Sequence, residues 1–421
     1  MPRILHIGVG NFHRAHQAIY TADAGADWRI TGVVMGNTAL FDFMSESGGY
    51  DIGIRGENGA VTRKIAVHDR MILARRDPEG VVDAFVDPDL HVVTLTITEK
   101  GYCLDPATDM LDLSNPAISA DLDGKPKSAI GLLAYGLAAR SAAGLPPLTV
   151  ISCDNLSGNG GKLESAIYTF ADKAGLTLDT STCFPNTMVD RITPATSGVS
   201  EPVITEDFTE WVIEDRFAGP RPDWESAGAE FTQDVAPFEM RKLRLLNAAH
   251  SWLAYAGQLA GYSYVHEAMA DPKLKAAVDR LWDEAQMTLP DVVQSSTASY
   301  RAALVDRFAV ADMRHALAQI GADGSLKLRE RIVPLISSDH STPQAREAVA
   351  AWISFVLRKQ QLREPLIDPN ANVISEIIKD TQDTAGVCSK LVELIGVLNS
   401  TDDWMSALVQ QVQKYLENAV A

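Results

Sequence analysis

Two rhythms divide this chain. In its first third, short β-branched apolar runs, Ile4–Ile7, Arg29–Met35, His91–Thr98 and Leu148–Ser152, alternate with helical stretches such as His13–Asp23, Thr38–Ser45 and Lys127–Ala143. Parallel strands covered on both faces by crossover helices produce this order, so a doubly wound α/β sheet is expected. From about residue 237 the alternation gives way to helix after helix: Phe238–Ala260, Lys273–Met287, Pro290–Leu304, Pro343–Arg358, Ala385–Leu398 and Asp402–Ala419. The expected organisation is an α/β domain over residues 1–236 and a largely α-helical domain over 237–421. The Pro- and Gly-rich stretch Ala218–Trp224 is read as the approach to the boundary. At 421 residues the chain is too long for one compact core.

Charge removes one class of partner. A formal net charge of −18 leaves no surplus of Lys and Arg to neutralise phosphates, so a nucleic-acid surface is not expected. The four cysteines, Cys103, Cys153, Cys183 and Cys388, lie far apart and form no CxxC pair, which points away from a disulfide framework and from a zinc site. No apolar stretch approaches the roughly 20 residues that span a bilayer, and the N-terminus runs directly into the first strand without a basic, then apolar, leader. A cytoplasmic protein without membrane partners is expected.

The first strand leads into Gly8-Val9-Gly10-Asn11-Phe12-His13-Arg14. Two glycines let the backbone turn tightly and approach a pyrophosphate. The helix that follows, entered through Asn11 and Phe12, offers free N–H groups and the positive end of its dipole. His13 or Arg14 stands near the place of the third glycine of the usual fingerprint. Such a turn also closes ordinary strand-helix units; its position in the first unit of an alternating chain is what favours a dinucleotide. At the end of the second strand, Val34-Met35-Gly36-Asn37-Thr38 has neither the carboxylate that binds a ribose 2′-hydroxyl nor an adjacent arginine for a 2′-phosphate. Asp42 and Glu46 follow later and read equally as helix-surface charges.

In the helical half, the run Lys242-Leu243-Arg244-Leu245-Leu246-Asn247-Ala248-Ala249-His250 is the densest chemistry. On a regular helix, offsets of five and eight residues turn by about 500° and 800°, which keeps Lys242, Asn247 and His250 on one broad face. Leu243, Leu245, Leu246 and Ala249 supply an apolar flank. A lysine buried beside such neighbours loses affinity for its proton and becomes usable as a general base, whereas one left at the surface merely snorkels into solvent.

Four more segments complete the pattern: Thr98-Glu99-Lys100-Gly101-Tyr102; Ser152-Cys153-Asp154-Asn155-Leu156-Ser157-Gly158-Asn159-Gly160; Met188-Val189-Asp190-Arg191-Ile192-Thr193-Pro194; and Glu239-Met240-Arg241-Lys242. Read singly, each has an ordinary explanation. Asn155 and Asn159 would close a Gly-rich turn, Asp190 and Arg191 would pair, and Glu99 and Lys100 would solvate a strand end. In this order, over residues 1 to about 260, they resemble the long-chain polyol dehydrogenases, the mannitol 2-dehydrogenase family, which includes hexuronate reductases.

The resemblance implies a Rossmann-type N-terminal domain, a mostly helical C-terminal domain and metal-independent, NAD-dependent interconversion of a sugar alcohol of mannitol or arabinitol type and its ketose. NADP is the alternative cofactor. Gly8, Gly10, Asn11, Phe12, Asn37 and Thr98 would face the cofactor. Lys242 would be the general base, and Asn155 and Asn247 would donate hydrogen bonds to the reacting oxygen. His250 and Lys327 would bind substrate, Asp190 would line the pocket, and Glu239 would serve the base through a water channel. A monomer is expected.

The chemistry accounts for these residue types. Oxidising a secondary alcohol builds negative charge on its oxygen, so the reaction needs a base and neutral donors that do not compete for the proton. No tyrosine has a lysine four residues on, which removes the short-chain dehydrogenase alternative. The chain departs from the family at Arg307-Phe308-Ala309-Val310-Ala311, where Asn-Pro is usual, and at Gln319, which stands where an arginine precedes Asp323-Gly324-Ser325-Leu326-Lys327. A glutamine cannot copy a planar multidonor guanidinium. Two other functions follow: reduction of a keto-uronate, with Lys327 or Arg314 facing its carboxylate, and a non-catalytic nucleotide sensor on the same fold.

Overall fold

A computed structural model describes residues 1–421 apart from 26, 57–58, 106–107, 195, 197, 338–340, 399 and 419–421. Its strands are β1 (Arg3–Ile7), β2 (Arg29–Val34), β3 (Tyr50–Gly56), β4 (Gly59–Ile65), β5 (His68–Leu73), β6 (Leu90–Leu95), β7 (Thr149–Ser152), β8 (Thr187–Asp190), β9 (Val203–Glu206), β10 (Glu210–Glu214) and β11 (Glu230–Thr232). Five of them form a parallel sheet in the order β5-β2-β1-β6-β7. From β1 the chain steps outward through β2 to β5, then returns to the other side of β1 for β6 and β7. The reversal falls between β1 and β6, and the crevice at the carboxyl ends of those strands is where such sheets take ligands.

The sheet is buried on both faces because its strands are apolar at successive positions. Leu5 and Ile7 face one core with Val33, Val93 and Leu95; Ile4 faces the other with Ile30, Val34, Val92 and Ile151. The helices Ala129–Ala142 and Asn159–Ala174 close the first core, and Gln17–Asp23 and Thr38–Glu46 the second.

The expected doubly wound sheet is present, with local differences. The stretch His13–Asp23 is two helices, Asn11–Ala15 and Gln17–Asp23, broken at His16 (φ −128°, ψ −94°). Thr98 begins a short helix instead of ending a strand. The sequence reading misses β5 and two three-stranded sheets, β4-β3-β9 and β11-β10-β8. Most of β4 is exposed, so burial leaves little pattern to read there. The stretch Ala218–Trp224 precedes the division between the two units and still belongs to the first of them. Trp224 is wholly buried against Trp211 at 4.8 Å, and its Nε1 donates to Thr21 Oγ1 at 3.1 Å, which returns the chain to the α/β core. The two compact units are Met1–Ala236 and Pro237–Ala421.

The second unit is built from helices. The helix Ala248–Leu259 is central, packing against Pro272–Gln286, Gly324–Arg331 and Pro343–Leu362; Pro343–Leu362 in turn packs against Asp402–Asn418. Residue 419 of the last expected helix lies outside the described residues. Among the described residues, no helix is long and apolar enough to cross a membrane.

Candidate active site

In the first unit, β1 ends in a turn that only glycine can make. Gly8 has φ +99°, and a Cβ there would lie 2.1 Å from the carbonyl oxygen of Thr96, just past β6. Gly10 differs. Its backbone is extended, and a Cβ would meet nothing closer than the Gly8 carbonyl at 3.7 Å. The fold would therefore tolerate a side chain at Gly10. Its absence leaves open the approach to the start of the helix Asn11–Ala15, whose first N–H groups have no side-chain cap.

The third-glycine position is filled by His13, which is wholly buried. Its ring stacks on His6 of β1 at 3.4 Å, and its Nε2 lies 2.8 Å from Nε2 of His68 at the start of β5. His6 Nδ1 meets Thr94 Oγ1 at 2.8 Å. Burial, reinforced by the neighbouring rings, holds His6 and His13 well below the usual imidazole range; burial and Arg14 push His68 down to about 4. The three rings are neutral packing material beneath the glycine turn. Asn37 is the exposed cap of the helix Thr38–Glu46, its Oδ1 accepting from Leu40 N at 3.1 Å.

Past β7, Asp154 performs a task that its sequence motif alone does not reveal. Its carboxylate accepts from Ile97 N at 3.0 Å, from Thr98 N at 2.8 Å and from the Tyr102 hydroxyl at 3.0 Å. These bonds tie the loop after β7 to the loop after β6. They also hold Thr98 at φ +63°, a left-handed conformation uncommon outside glycine. Burial raises the Asp154 carboxyl against the lowering effect of its donors. A carboxylate beside Asn155 at the carboxyl end of a strand is the signal that could have marked it.

Asn155 and Thr98 are both exposed at this clamp. Asn159 is structural: wholly buried, it donates from Nδ2 to the carbonyls of Asp154 and Thr187 and accepts from Thr187 N. Asp190 is buried at the end of β8, opposite Glu210 of β10. The neighbouring Arg191 directs its guanidinium to the carbonyls of Ala15 and Glu206.

In the second unit, the helix expected over Phe238–Ala260 is interrupted. Ala236–Lys242 and Ala248–Leu259 are α-helical and Leu243–Asn247 is π-helical, with Ala248 N bonded to the Leu243 carbonyl. The regular-helix reckoning therefore fails in a way that helps the site. Residues five apart diverge by about 140° on an α-helix. In i→i+5 bonding they lie one above the other. The π turn thus brings Asn247 under Lys242, with His250 one turn further along the same face. Trp282 Nε1 donates to the Leu245 carbonyl at 3.0 Å and supports the widened turn. Lys242, Asn247 and His250 are only 7%, 7% and 5% exposed. Glu239, half-buried, lies three residues before Lys242.

Asn247 Oδ1, His250 Nε2 and His315 Nδ1 are among the buried polar atoms of this unit that have no hydrogen-bond partner among the described residues. Such orphans are costly, and a ligand bearing hydroxyl groups would satisfy them. His250 stacks on Phe308 at 4.5 Å and meets the edge of His315 at 5.0 Å. Burial, then His315, Arg307 and Arg331, keep the His250 imidazole neutral, while burial and Arg307 push His315 down to about 4. A neutral imidazole can donate from one nitrogen and accept at the other. His315 lies in the divergent segment and was not singled out by its spacing.

The other expected substrate residues are placed differently. Lys327 Nζ donates to the Ile320 carbonyl at 3.1 Å and lies 4.0 Å from Asp323. In the same motif, a Cβ on Gly324 would come within 2.6 Å of Trp352 and Tyr255, and Ser325 bonds Asp368, so these two residues secure packing. Gln319 is exposed on the short helix Leu317–Ile320. Arg314 donates to the Tyr264 hydroxyl at 2.8 Å. Among the described residues, no group of three or more His, Cys, Asp or Glu could hold a metal ion.

Comparison with known proteins covers both units. Residues 2–226 match the family described as mannitol dehydrogenase Rossmann domain, and residues 234–419 match mannitol dehydrogenase C-terminal domain. The chain is 38% identical to D-mannonate oxidoreductase of Escherichia coli (strain K12) over 386 residues, 84% of this chain and 79% of that protein. It is 36% identical to mannitol 2-dehydrogenase of Pyrenophora tritici-repentis over 366 residues, 79% of this chain and 65% of that protein. A solved structure of Pseudomonas fluorescens mannitol 2-dehydrogenase, a ternary complex with NAD and D-mannitol, superposes with a TM-score of 0.82 at 32% identity, covering 100% of this chain and 92% of that one. With both halves matched and relatives this similar over most of their length, the chain belongs to the mannitol dehydrogenase family of oxidoreductases acting on CH–OH groups.

Proposed function

We propose that this protein oxidises a secondary hydroxyl of an open-chain sugar alcohol to the ketone, and reverses that reaction, with NAD as hydride carrier and Lys242 as general base. The observation that carries the reading is the π turn, which aligns a buried Lys242 with a buried Asn247. Residues 1–236 would bind the dinucleotide and residues 237–421 the substrate. NAD, when bound, accepts the hydride from the carbinol carbon. Lys242 takes the hydroxyl proton, and the amide N–H groups of Asn155 and Asn247 stabilise charge growing on the oxygen. His250 holds a neighbouring hydroxyl, Asp190 lines the pocket, Glu239 relays the proton onward and Lys327 bounds the substrate side. A monomer in the cytoplasm fits this reading.

The glycine turn fits a dinucleotide for a stated reason: Gly8 is sterically obligatory, whereas Gly10 leaves open space over uncapped N–H groups. Gly10, Asn11 and Phe12 would hold the pyrophosphate, with Thr98 and Asn37 toward the remainder of the cofactor. Gly10→Val is expected to fold normally, because its backbone is extended and its surroundings are open, yet to abolish the fluorescence enhancement of NADH. Unchanged NADH affinity in this variant would remove the turn from the cofactor site.

A second reading is favoured by charge. Arg307 and Arg331 both act on buried His250, and a positive environment suits a sugar acid, the substrate class named for the Escherichia coli relative. A cofactor-coupled absorbance screen of mannitol, arabinitol, sorbitol, fructose, mannonate, fructuronate and tagaturonate decides. Turnover of the uncharged compounds is expected from the first reading. Turnover confined to the acids establishes the second, and Arg331→Ala should then raise KM for the acid.

A further inference from the structure

Strand order brings together two parts of the first unit that the sequence separates by almost forty residues. β2 and β5 are parallel neighbours, with Val34 opposite Leu73 and Ala74 N bonded to the Val34 carbonyl at 2.9 Å. The chain therefore leaves β5 through Arg75 and Arg76 at the same sheet edge where it leaves β2 through Met35, Gly36 and Asn37. Adjacent strands are about 4.8 Å apart, well within the reach of an arginine side chain. Both arginines are exposed, and neither side chain makes a hydrogen bond or ion pair with a described residue. Asp77, the carboxylate next in sequence, is engaged as a helix cap on Gly80 N at 2.8 Å.

The β2 side of this edge complements the arginines. No carboxylate follows β2 to receive a ribose 2′-hydroxyl, and Asn37 uses its Oδ1 to cap its own helix. A Cβ on Gly36 would meet nothing within 4 Å, so the edge is open. In sheets of this type a carboxylate at the end of β2 selects the free 2′-hydroxyl, and a nearby arginine accommodates a 2′-phosphate. Two guanidiniums with unused donors can bind a phosphate dianion through several charge-assisted hydrogen bonds.

We propose that Arg75 and Arg76 are specificity-determining residues that receive the 2′-phosphate of NADP, so that the enzyme uses NADP as well as NAD. The inference rests on the reading that the Gly8–Gly10 turn holds a nicotinamide dinucleotide. The full chain is titrated calorimetrically with adenosine 2′,5′-bisphosphate and with 5′-AMP, as wild type, as the double variant Arg75→Ala/Arg76→Ala and as Arg75→Lys/Arg76→Lys. The wild type is expected to bind the bisphosphate more tightly than 5′-AMP. The alanine pair should lose roughly tenfold or more toward the bisphosphate and nothing toward 5′-AMP, while the lysine pair keeps part of the gain. NADP-linked kcat/KM should fall in parallel, with NAD-linked kcat/KM within about twofold of wild type by the same reasoning. Binding of 5′-AMP and NADH with no gain from the 2′-phosphate, or a gain that survives the alanine pair, overturns this inference and leaves the dinucleotide site intact. Failure of both fragments and of NADH to bind overturns both readings.

Discussion

Lys242→Ala is expected to lower kcat for alcohol oxidation by roughly 10²–10⁴-fold, the range associated with loss of a general acid or base. The variant should fold, because alanine is the best helix former and the π turn that follows is supported by Trp282 and by the buried Leu245 and Leu246. Affinity for NADH should be unchanged, since the glycine turn belongs to the other compact unit. The pH profile separates a base from a packing residue. Wild-type oxidation should rise with pH as the ammonium gives up its proton, and ketone reduction should fall over the same interval; the variant should lose this dependence in both directions. A small primary amine added to the variant should restore part of the rate, because the truncated side chain leaves space beside Asn247. Near-wild-type turnover with the wild-type pH profile would show that Lys242 only packs and that another group takes the proton.

The broad architecture was legible because it depends on repeated local signals. Strands β1, β2, β6 and β7 are continuous apolar runs, and helices such as Ala129–Ala142 bear a cap, Ser128, whose side chain accepts from Gly131 N. β4 was missed for the opposite reason, since an exposed strand gives up the alternation that burial imposes. The site divides along similar lines. The obligatory Gly8 could be read from its place after β1, because a left-handed φ beside a carbonyl restricts residue type. The π turn could not, because one extra residue in a helix changes no composition; a regular-helix count placed Lys242 and Asn247 only loosely together. The Asp154 clamp and the Arg75–Arg76 edge are products of strand pairing, which joins residues remote in sequence. A search for an arginine adjacent to Asn37 in the chain could not find one contributed by the neighbouring strand.

Acid should destabilise the first unit before its carboxylates titrate. His6 and His13 are wholly buried and His68 is half-buried, all three with depressed affinities for protons, His68 at about 4, whereas the unfolded chain takes those protons near the ordinary imidazole value of about 6.5. The unfolded state thus binds more protons below that value. The native advantage is fully present above pH 6.5 and is lost as pH falls toward the folded values, by about 1.4 kcal/mol per pH unit for each histidine that stays neutral in the fold. For His68 alone the loss approaches about 3 kcal/mol by pH 4. The rings cannot accept protons in place: His13 stacks on His6 at 3.4 Å and faces His68 through a 2.8 Å nitrogen contact, so a second charge would meet a first one in a dry core beneath the glycine turn. Hydrogen exchange of peptides from β1, measured at constant intrinsic exchange between pH 7.5 and 5.5, should report falling protection with decreasing pH. His68→Gln should remove one histidine's share of that slope, and NADH affinity should weaken over the same window as the turn above the rings loosens. Protection in β1 that is independent of pH across this interval would mean that the three rings take up protons without disturbing the fold.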